Sequence, residues 1–136
     1  MTQSHPELSR RIDIIERGYE YLLAFAAQGR RSEAGSEVRE TLLGMHDALD
    51  GLDRILTATV KVDARSQRHD DGAFMTAVRD DALKARGAIA FTLNCSTIGS
   101  QLIDNLNASI HVRALLTDLF LVDQALRQAT AAVPAS

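Results

Sequence analysis

Histidine and carboxylate residues are the side chains of this sequence whose spacing could support chemistry. His46, Asp50 and Asp53 lie at helical spacing in one stretch, and Glu16 and Glu20 are four residues apart. Di-iron helical bundles bind their metals through inward carboxylates and Glu-x-x-His pairs on facing helices, and no Glu-x-x-His occurs here. We therefore predict neither a metal site nor a metal cofactor.

His46 is also the candidate for a phosphotransfer histidine, because small four-helix bundles carry phosphate on an exposed histidine. Histidine phosphotransfer domains usually have a lysine and a glycine just after that residue, whereas Asp47 and Asp50 flank His46 in this sequence. Two carboxylates would repel a phosphoryl group. A signalling phosphocarrier therefore stays an alternative rather than the expected function.

Nucleophilic catalysis has little support in the sequence. Cys95 and His111 are far apart along the chain, and a lone helical cysteine is more often packed in a core. Asp104, Asn107 and His111 lie at steps of three and four, which predicts a buried hydrogen-bonded cluster rather than a catalytic site. No glycine-rich loop follows a strand, as phosphate binding would require. We expect no catalytic residue, no cofactor and no enzyme activity.

Composition narrows the class of protein. The chain has 136 residues, 46% apolar and only 4% aromatic. This length fits one helical domain over residues 1–136, and its alanine- and leucine-rich apolar set suits helix packing. The net charge of −3, with mixed signs, gives no reason to expect nucleic acid or an anionic membrane as a partner. One cysteine and a start unlike a signal peptide favour a cytoplasmic location.

Apolar residues at steps of three and four predict four helices. Their approximate bounds are 5–28, 36–61, 73–106 and 109–131. Unbroken, the third helix would be about 50 Å long against about 36 Å for its neighbours, at a rise of 1.5 Å per residue. We therefore expect it to be kinked or split near residues 94–99. The predicted fold is all-α, a four-helix up-and-down bundle.

The segment from Gly87 to Val112 is unusual because Asp104 is its only formally charged residue. Its asparagine and glutamine side chains would be costly in hydrocarbon, so a membrane span is not expected. A solvated helix normally carries more charge. We therefore expect protein to cover most sides of this segment, either this chain or a partner.

A second apolar face on the first helix is the main candidate for a partner contact. Its members recur at steps of four, three and four: Ile14, Gly18, Tyr21 and Phe25. Gly18 would allow a close approach of another backbone, and the aromatic residues would supply contact area. Leu43, Ile55 and Phe120 add apolar surface on other helices. Wider core contact within one bundle and an apolar ligand pocket are the alternatives.

The third helix adds a face that is polar but uncharged. It consists of Asn94, Thr97, Gln101 and Asn105. Such residues tolerate partial burial where they find hydrogen-bond partners, so the face suits a subunit contact or a lined groove. A solvated face that happens to lack charge is the alternative.

Together these features predict a small cytoplasmic protein that binds another protein and forms a homodimer. Regulator, adaptor and chaperone are the roles that such bundles commonly have. The proposed contact is an apolar helix face presented to a partner's helix. A bundle that holds a small ligand or a metal between its helices is the alternative from a different class, beside the phosphocarrier.

Overall fold

The computed structural model describes residues 6–61 and 72–131, and these residues form six α-helices with no strand. The helices are α1 (Pro6–Ala27), α2 (Val38–Leu49), α3 (Leu52–Lys61), α4 (Gly72–Leu93), α5 (Ser100–Ile110) and α6 (Val112–Ala131). The all-helical class is confirmed, whereas a bundle of four helices is not. The loop expected between the second and third predicted helices lies outside the described residues.

The predicted helix 36–61 is interrupted at its centre, where α2 ends and α3 begins. Asp50 has an extended backbone with ψ of 121°, and Gly51 has φ of +76°. Glycine adopts this left-handed conformation without the steric penalty that a Cβ would bring. The Gly51 carbonyl then accepts hydrogen bonds from the backbone N–H groups of Arg54 and Ile55, which start α3.

The last predicted helix, 109–131, begins three residues later than expected. Residue 109 still belongs to α5, and His111 separates α5 from α6 with a left-handed φ of 48°. The His111 carbonyl accepts the Leu115 N–H in the first turn of α6. The chain therefore changes direction at a histidine, a residue type that enters this conformation more often than most.

The break expected near residues 94–99 is present, since α4 ends at Leu93 and α5 begins at Ser100. Gly99 lies against the end of the α1 region, where an added Cβ would be 2.9 Å from the Arg31 carbonyl oxygen. The Ser100 backbone N–H donates to the Arg30 carbonyl oxygen at 2.8 Å. These contacts dock the start of α5 on the chain that follows α1.

Side-chain contacts fix the relative directions of the helices. Arg39, early in α2, donates to the Leu93 carbonyl oxygen at the end of α4, and Asp50, after α2, pairs with Arg86. α2 and α4 are therefore antiparallel. α1 likewise runs antiparallel to α5 and α6 together, because its end meets Ser100 and its start meets the C-terminal part of α6.

One cluster of buried apolar side chains takes residues from all six helices. α1 packs on α2, α5 and α6, while α4 packs on α2, α3, α5 and α6. The outer faces of the helices lie on the surface. Within residues 6–61 and 72–131, the helices lack the combination of length and apolar content that a membrane span requires.

Candidate interaction surface

The apolar face predicted on α1 is largely used inside the chain. Gly18 is buried against α2, where an added Cβ would lie 2.6 Å from Met45 Sδ and closer still to Met45 Cγ. The close approach that glycine allows is therefore between α1 and α2 of one subunit. Ile14 is half-buried and packs against the core. The prediction that Gly18 contacts a partner was wrong.

The two aromatic residues of that face contact the segment between α1 and α2. Phe25 is only 1% exposed, so its prediction as a partner anchor was also wrong. Tyr21 is half-buried, its ring stacks on Phe25 with centroids 6.4 Å apart, and its hydroxyl accepts the Glu37 N–H at 3.0 Å. The Arg30 guanidinium lies over the Phe25 ring, 5.5 Å from its centroid. The residues after α1 fold back over the ring and close it from solvent.

The predicted buried cluster at the α5–α6 junction does not form. Asp104 and His111 are exposed. Asn107 is half-buried and its Nδ2 donates to the Leu22 carbonyl oxygen at a long 3.5 Å, while its Oδ1 is buried without a partner among the described residues. Asp104 and Asn107 do lie on one helix, as their spacing predicted. The face of α5 that packs in the core is the adjacent one, which contains Ile103, Leu106 and Ile110.

The uncharged face predicted on the third helix lies on the surface, although two elements now share it. Asn94 and Thr97 belong to the link after α4, and Gln101 and Asn105 lie on α5. All four are exposed. The described chain therefore does not cover this charge-poor surface, and its role in binding stays a prediction.

Large apolar side chains are exposed at places that the sequence pattern only partly indicated. They are Leu23, Leu43, Leu83, Phe91, Phe120 and Leu121. Phe91 stands out because it is 75% exposed. It also lies within the charge-poor segment from Gly87 to Val112. Leu43 and Phe120 were expected, whereas Phe91 and Leu83 were missed.

Phe91 and Leu83 belong to one ridge on the outer side of α4. Leu83, Gly87 and Phe91 follow each other at steps of four, which places them along one face of a helix. Leu83 is 39% exposed, and nothing lies within 4 Å of a Cβ added at Gly87. We call these three residues the α4 ridge. Leu43 of the neighbouring α2 is 50% exposed. In the sequence, Leu43 lies between Arg39 and Asp50, and these two residues contact Leu93 and Arg86 of α4. Leu43 is therefore on the part of α2 that lies beside the second half of α4.

A polar network holds the link from residue 94 to 99 in place beside this ridge. Glu33 accepts the Ile98 N–H at 2.7 Å and an Arg39 N–H at 2.7 Å, while Arg39 also donates to the Leu93 and Cys95 carbonyl oxygens. The Ile98 N–H, followed by the Arg39 guanidinium, lowers the pKa of Glu33 to about 2. The carbonyl end of α4 is thus capped by a cation, which keeps the end of the ridge in a fixed position.

A shallow groove of about 180 Å³ lies between α1 and α6. Its charged residues are Glu16, Glu20 and Arg113, and none of them has an ion-pair partner among the described residues. Leu23 and Phe120 contribute apolar surface. The groove favours the alternative of a small ligand bound between helices.

Asp50 and His46, which were considered for metal and phosphate chemistry, have other contacts in the structure. Asp50 pairs with Arg86 at 2.8 Å, and the closest carboxylate contact of His46 is Asp47 at 3.8 Å. In the ranges that the structure covers, no three His, Cys, Asp or Glu side chains are arranged to hold a metal ion. Comparison with models of protein families found no match, and neither did comparison with curated proteins or with solved structures.

Proposed function

We propose that this protein acts by binding another protein, in the first place a second copy of itself, through the outer surface of α4 and the link that follows it. The proposal rests on the exposure of Phe91 to solvent. Phe91 is the most exposed large apolar side chain of the described residues, and the chain around it is almost free of charge. Interface centres are depleted in charge and enriched in aromatic residues.

The energetics favour covering this surface. A phenylalanine side chain presents roughly 200 Å² to solvent. Three-quarters of it, buried at about 25 cal/mol per Å², would contribute at most about 4 kcal/mol to association. An aromatic anchor of this size matches the few residues that dominate measured interfaces.

The architecture that we propose for this function is a four-rod, up-and-down bundle. α2 with α3, and α5 with α6, would each be one rod that is broken at Gly51 and at His111. The antiparallel contacts of α1 and α4 with their neighbours support this interpretation. Such a bundle offers its outer helix faces to partners, as expected for a regulator, an adaptor or a chaperone. We also keep the proposal of a cytoplasmic location, with which the single free Cys95 is compatible.

The test compares alanine variants at the two most exposed large apolar side chains of the described residues. Phe91→Ala changes the proposed surface, and Leu121→Ala changes an exposed position on α6 that is 55% accessible. Self-association is measured by sedimentation velocity, and binding of host proteins by quantitative affinity capture with mass spectrometry. We expect the native protein to reach twice its 14.8 kDa chain mass. We also expect Phe91→Ala, unlike Leu121→Ala, to weaken binding. The proposal would be refuted if the native protein does not self-associate and if Phe91→Ala loses no host partner that the native protein binds.

The groove between α1 and α6 supports a second candidate, binding of a small molecule with both charged and apolar parts. Unpaired Glu16 and Glu20 on one wall and Arg113 on the other could hold a cation and an anion of the same ligand. Native mass spectrometry of protein purified from its host would show a stoichiometric bound species. Its absence would leave protein binding as the function to pursue.

A further inference from the structure

The α4 ridge carries a protruding side chain and a gap one helical turn apart. Phe91 projects into solvent, and Gly87 offers open space with no side chain of its own. The two positions are separated by about 6 Å along the helix axis. A ridge that contains both features is complementary to itself, which is the requirement for a two-fold symmetric contact.

From this self-complementarity we infer that two copies pair through their α4 helices, antiparallel, with Phe91 of each copy in the gap at Gly87 of the other. The inference rests on the proposed function and specifies its partner as a second copy of this chain. The two-fold axis would pass near position 89, midway between the two residues. Leu83 and the adjacent Leu43 would extend the apolar contact on either side.

The distribution of charge along α4 selects the antiparallel arrangement. All charged residues of α4 lie in its first two-thirds: Arg79, Asp80, Asp81, Lys84 and Arg86. Asp80 and Lys84 lie on the same side of α4 as the ridge. In a parallel pair each would face its own copy, and like charges that face each other across an interface oppose association. In the antiparallel pair, Lys84 of one copy faces Asn94 of the other. The charge-poor end of α4 thus becomes the counterpart of the charged end.

Gly87 has no role within the subunit that would explain its missing side chain. A glycine inside a helix costs roughly 0.5–1 kcal/mol relative to alanine. At Gly18 a close side chain accounts for the glycine, and at Gly99 a close carbonyl does so. At Gly87 the space is open, as it is at Gly44. Gly87 differs from Gly44 because it lies one helical turn from the exposed Phe91 on the α4 ridge, so that Phe91 of a second copy can fill its gap.

The first experiment fills the gap and removes the protruding ring. Gly87→Leu is tolerated within the subunit because the space is open, and Gly44→Leu is its matched control at another open helical glycine. Phe91→Ala is compared with Leu121→Ala as before. We expect Gly87→Leu and Phe91→Ala each to raise the dimer dissociation constant at least about tenfold in sedimentation equilibrium. The two controls should leave it within about threefold. Urea unfolding at a concentration where all variants are monomeric confirms that Gly87→Leu remains folded.

The second experiment reads the orientation of the helices. In a Cys95→Ser background, Lys84→Cys and Asn94→Cys each introduce one exposed thiol. The antiparallel pair brings residue 84 of one copy to residue 94 of the other, so a short bismaleimide should link the two proteins only when they are mixed. Links within either variant alone would indicate parallel pairing and overturn the inference.

The possible failures are distinguishable from each other. A native dimer whose affinity is unchanged by Gly87→Leu would refute the α4 pairing but leave self-association intact. A native monomer at high micromolar concentration would also refute the pairing. In that case the proposed function would stand only if Phe91→Ala loses a host partner that Leu121→Ala retains.

Discussion

The contact between Gly18 and Met45 predicts that a glycine-to-alanine substitution, which usually stabilises a helix, destabilises the fold at this position. Replacing a helical glycine with alanine normally stabilises a helix by roughly 0.5–1 kcal/mol. At Gly18, however, the new Cβ would lie 2.6 Å from Met45 Sδ, and Met45 is itself 1% exposed and cannot move into solvent. Overpacking of a core costs about 1–3 kcal/mol. We expect Gly18→Ala to destabilise the fold by about 1 kcal/mol.

The matched control is Gly44→Ala, because Gly44 is also helical and nothing lies within 4 Å of its added Cβ. This variant should raise the free energy of unfolding by the ordinary helix contribution. Urea denaturation followed by circular dichroism measures both variants. The same substitution in adjacent helices should therefore give opposite signs.

A double-mutant cycle tests the assignment to Met45. Met45→Ala alone should cost about 2–5 kcal/mol through the cavity that it leaves. In the Met45→Ala background the extra methyl at Gly18 enters that space, so the double variant should be more stable than the sum of the two effects predicts. If Gly18→Ala raises the free energy of unfolding as Gly44→Ala does, Gly18 is not closely packed against Met45. The conclusion that Gly18 belongs to the core would then be wrong.

Two further predictions concern the polar contacts at the end of α1 and α4. Ser100 is 3% exposed, donates through Oγ to the Phe25 carbonyl oxygen at 2.6 Å and accepts the Arg30 N–H at 2.8 Å. Ser100→Ala should therefore lower the free energy of unfolding by about 1–3 kcal/mol in urea denaturation, and an unchanged midpoint would contradict this. Because the folded-state pKa of Glu33 is lowered from 4.5 to about 2, the stability that it adds is present above pH 4.5 and lost as the pH falls towards 2. Glu33→Gln should flatten that acid-side loss, whereas retention of the native slope would show that other carboxylates, such as Glu7, account for it.

The helical periods were readable from the sequence, but the interruption of one helix was not. The seam through Val38, Leu42, Met45, Leu49, Leu52 and Leu56 is buried throughout, as its spacing predicts. The spacing continues without change across Gly51, although the backbone there leaves the helix. Apolar periodicity reports which face is buried and is insensitive to one residue of left-handed backbone. Gly51 after Asp50 was the available signal for that turn.

The identity of the exposed aromatic residue could be predicted only in part. The Phe25 ring is covered by Arg30, and its carbonyl oxygen accepts a hydrogen bond from Ser100 at the start of α5. These contacts depend on the tertiary fold and leave no trace in local spacing. Phe91 was accessible to sequence reasoning. The buried stripe of α4 passes through Ile89 and Thr92, so Phe91 falls outside it. The charge-poor segment contains Phe91, and a partner contact there stays a prediction, whereas Phe25, an anchor expected on α1, lies inside the core.

The hydrogen bonds of Ser100 also bear on the order in which the molecule assembles. They join residues that are 70 and 75 positions apart in the chain. Contacts of such sequence separation carry a large loop-closure cost until the intervening helices are in place. Docking of α5 onto the end of α1 should thus be among the last events of folding, so damage at this junction would chiefly accelerate unfolding and leave the refolding rate nearly unchanged.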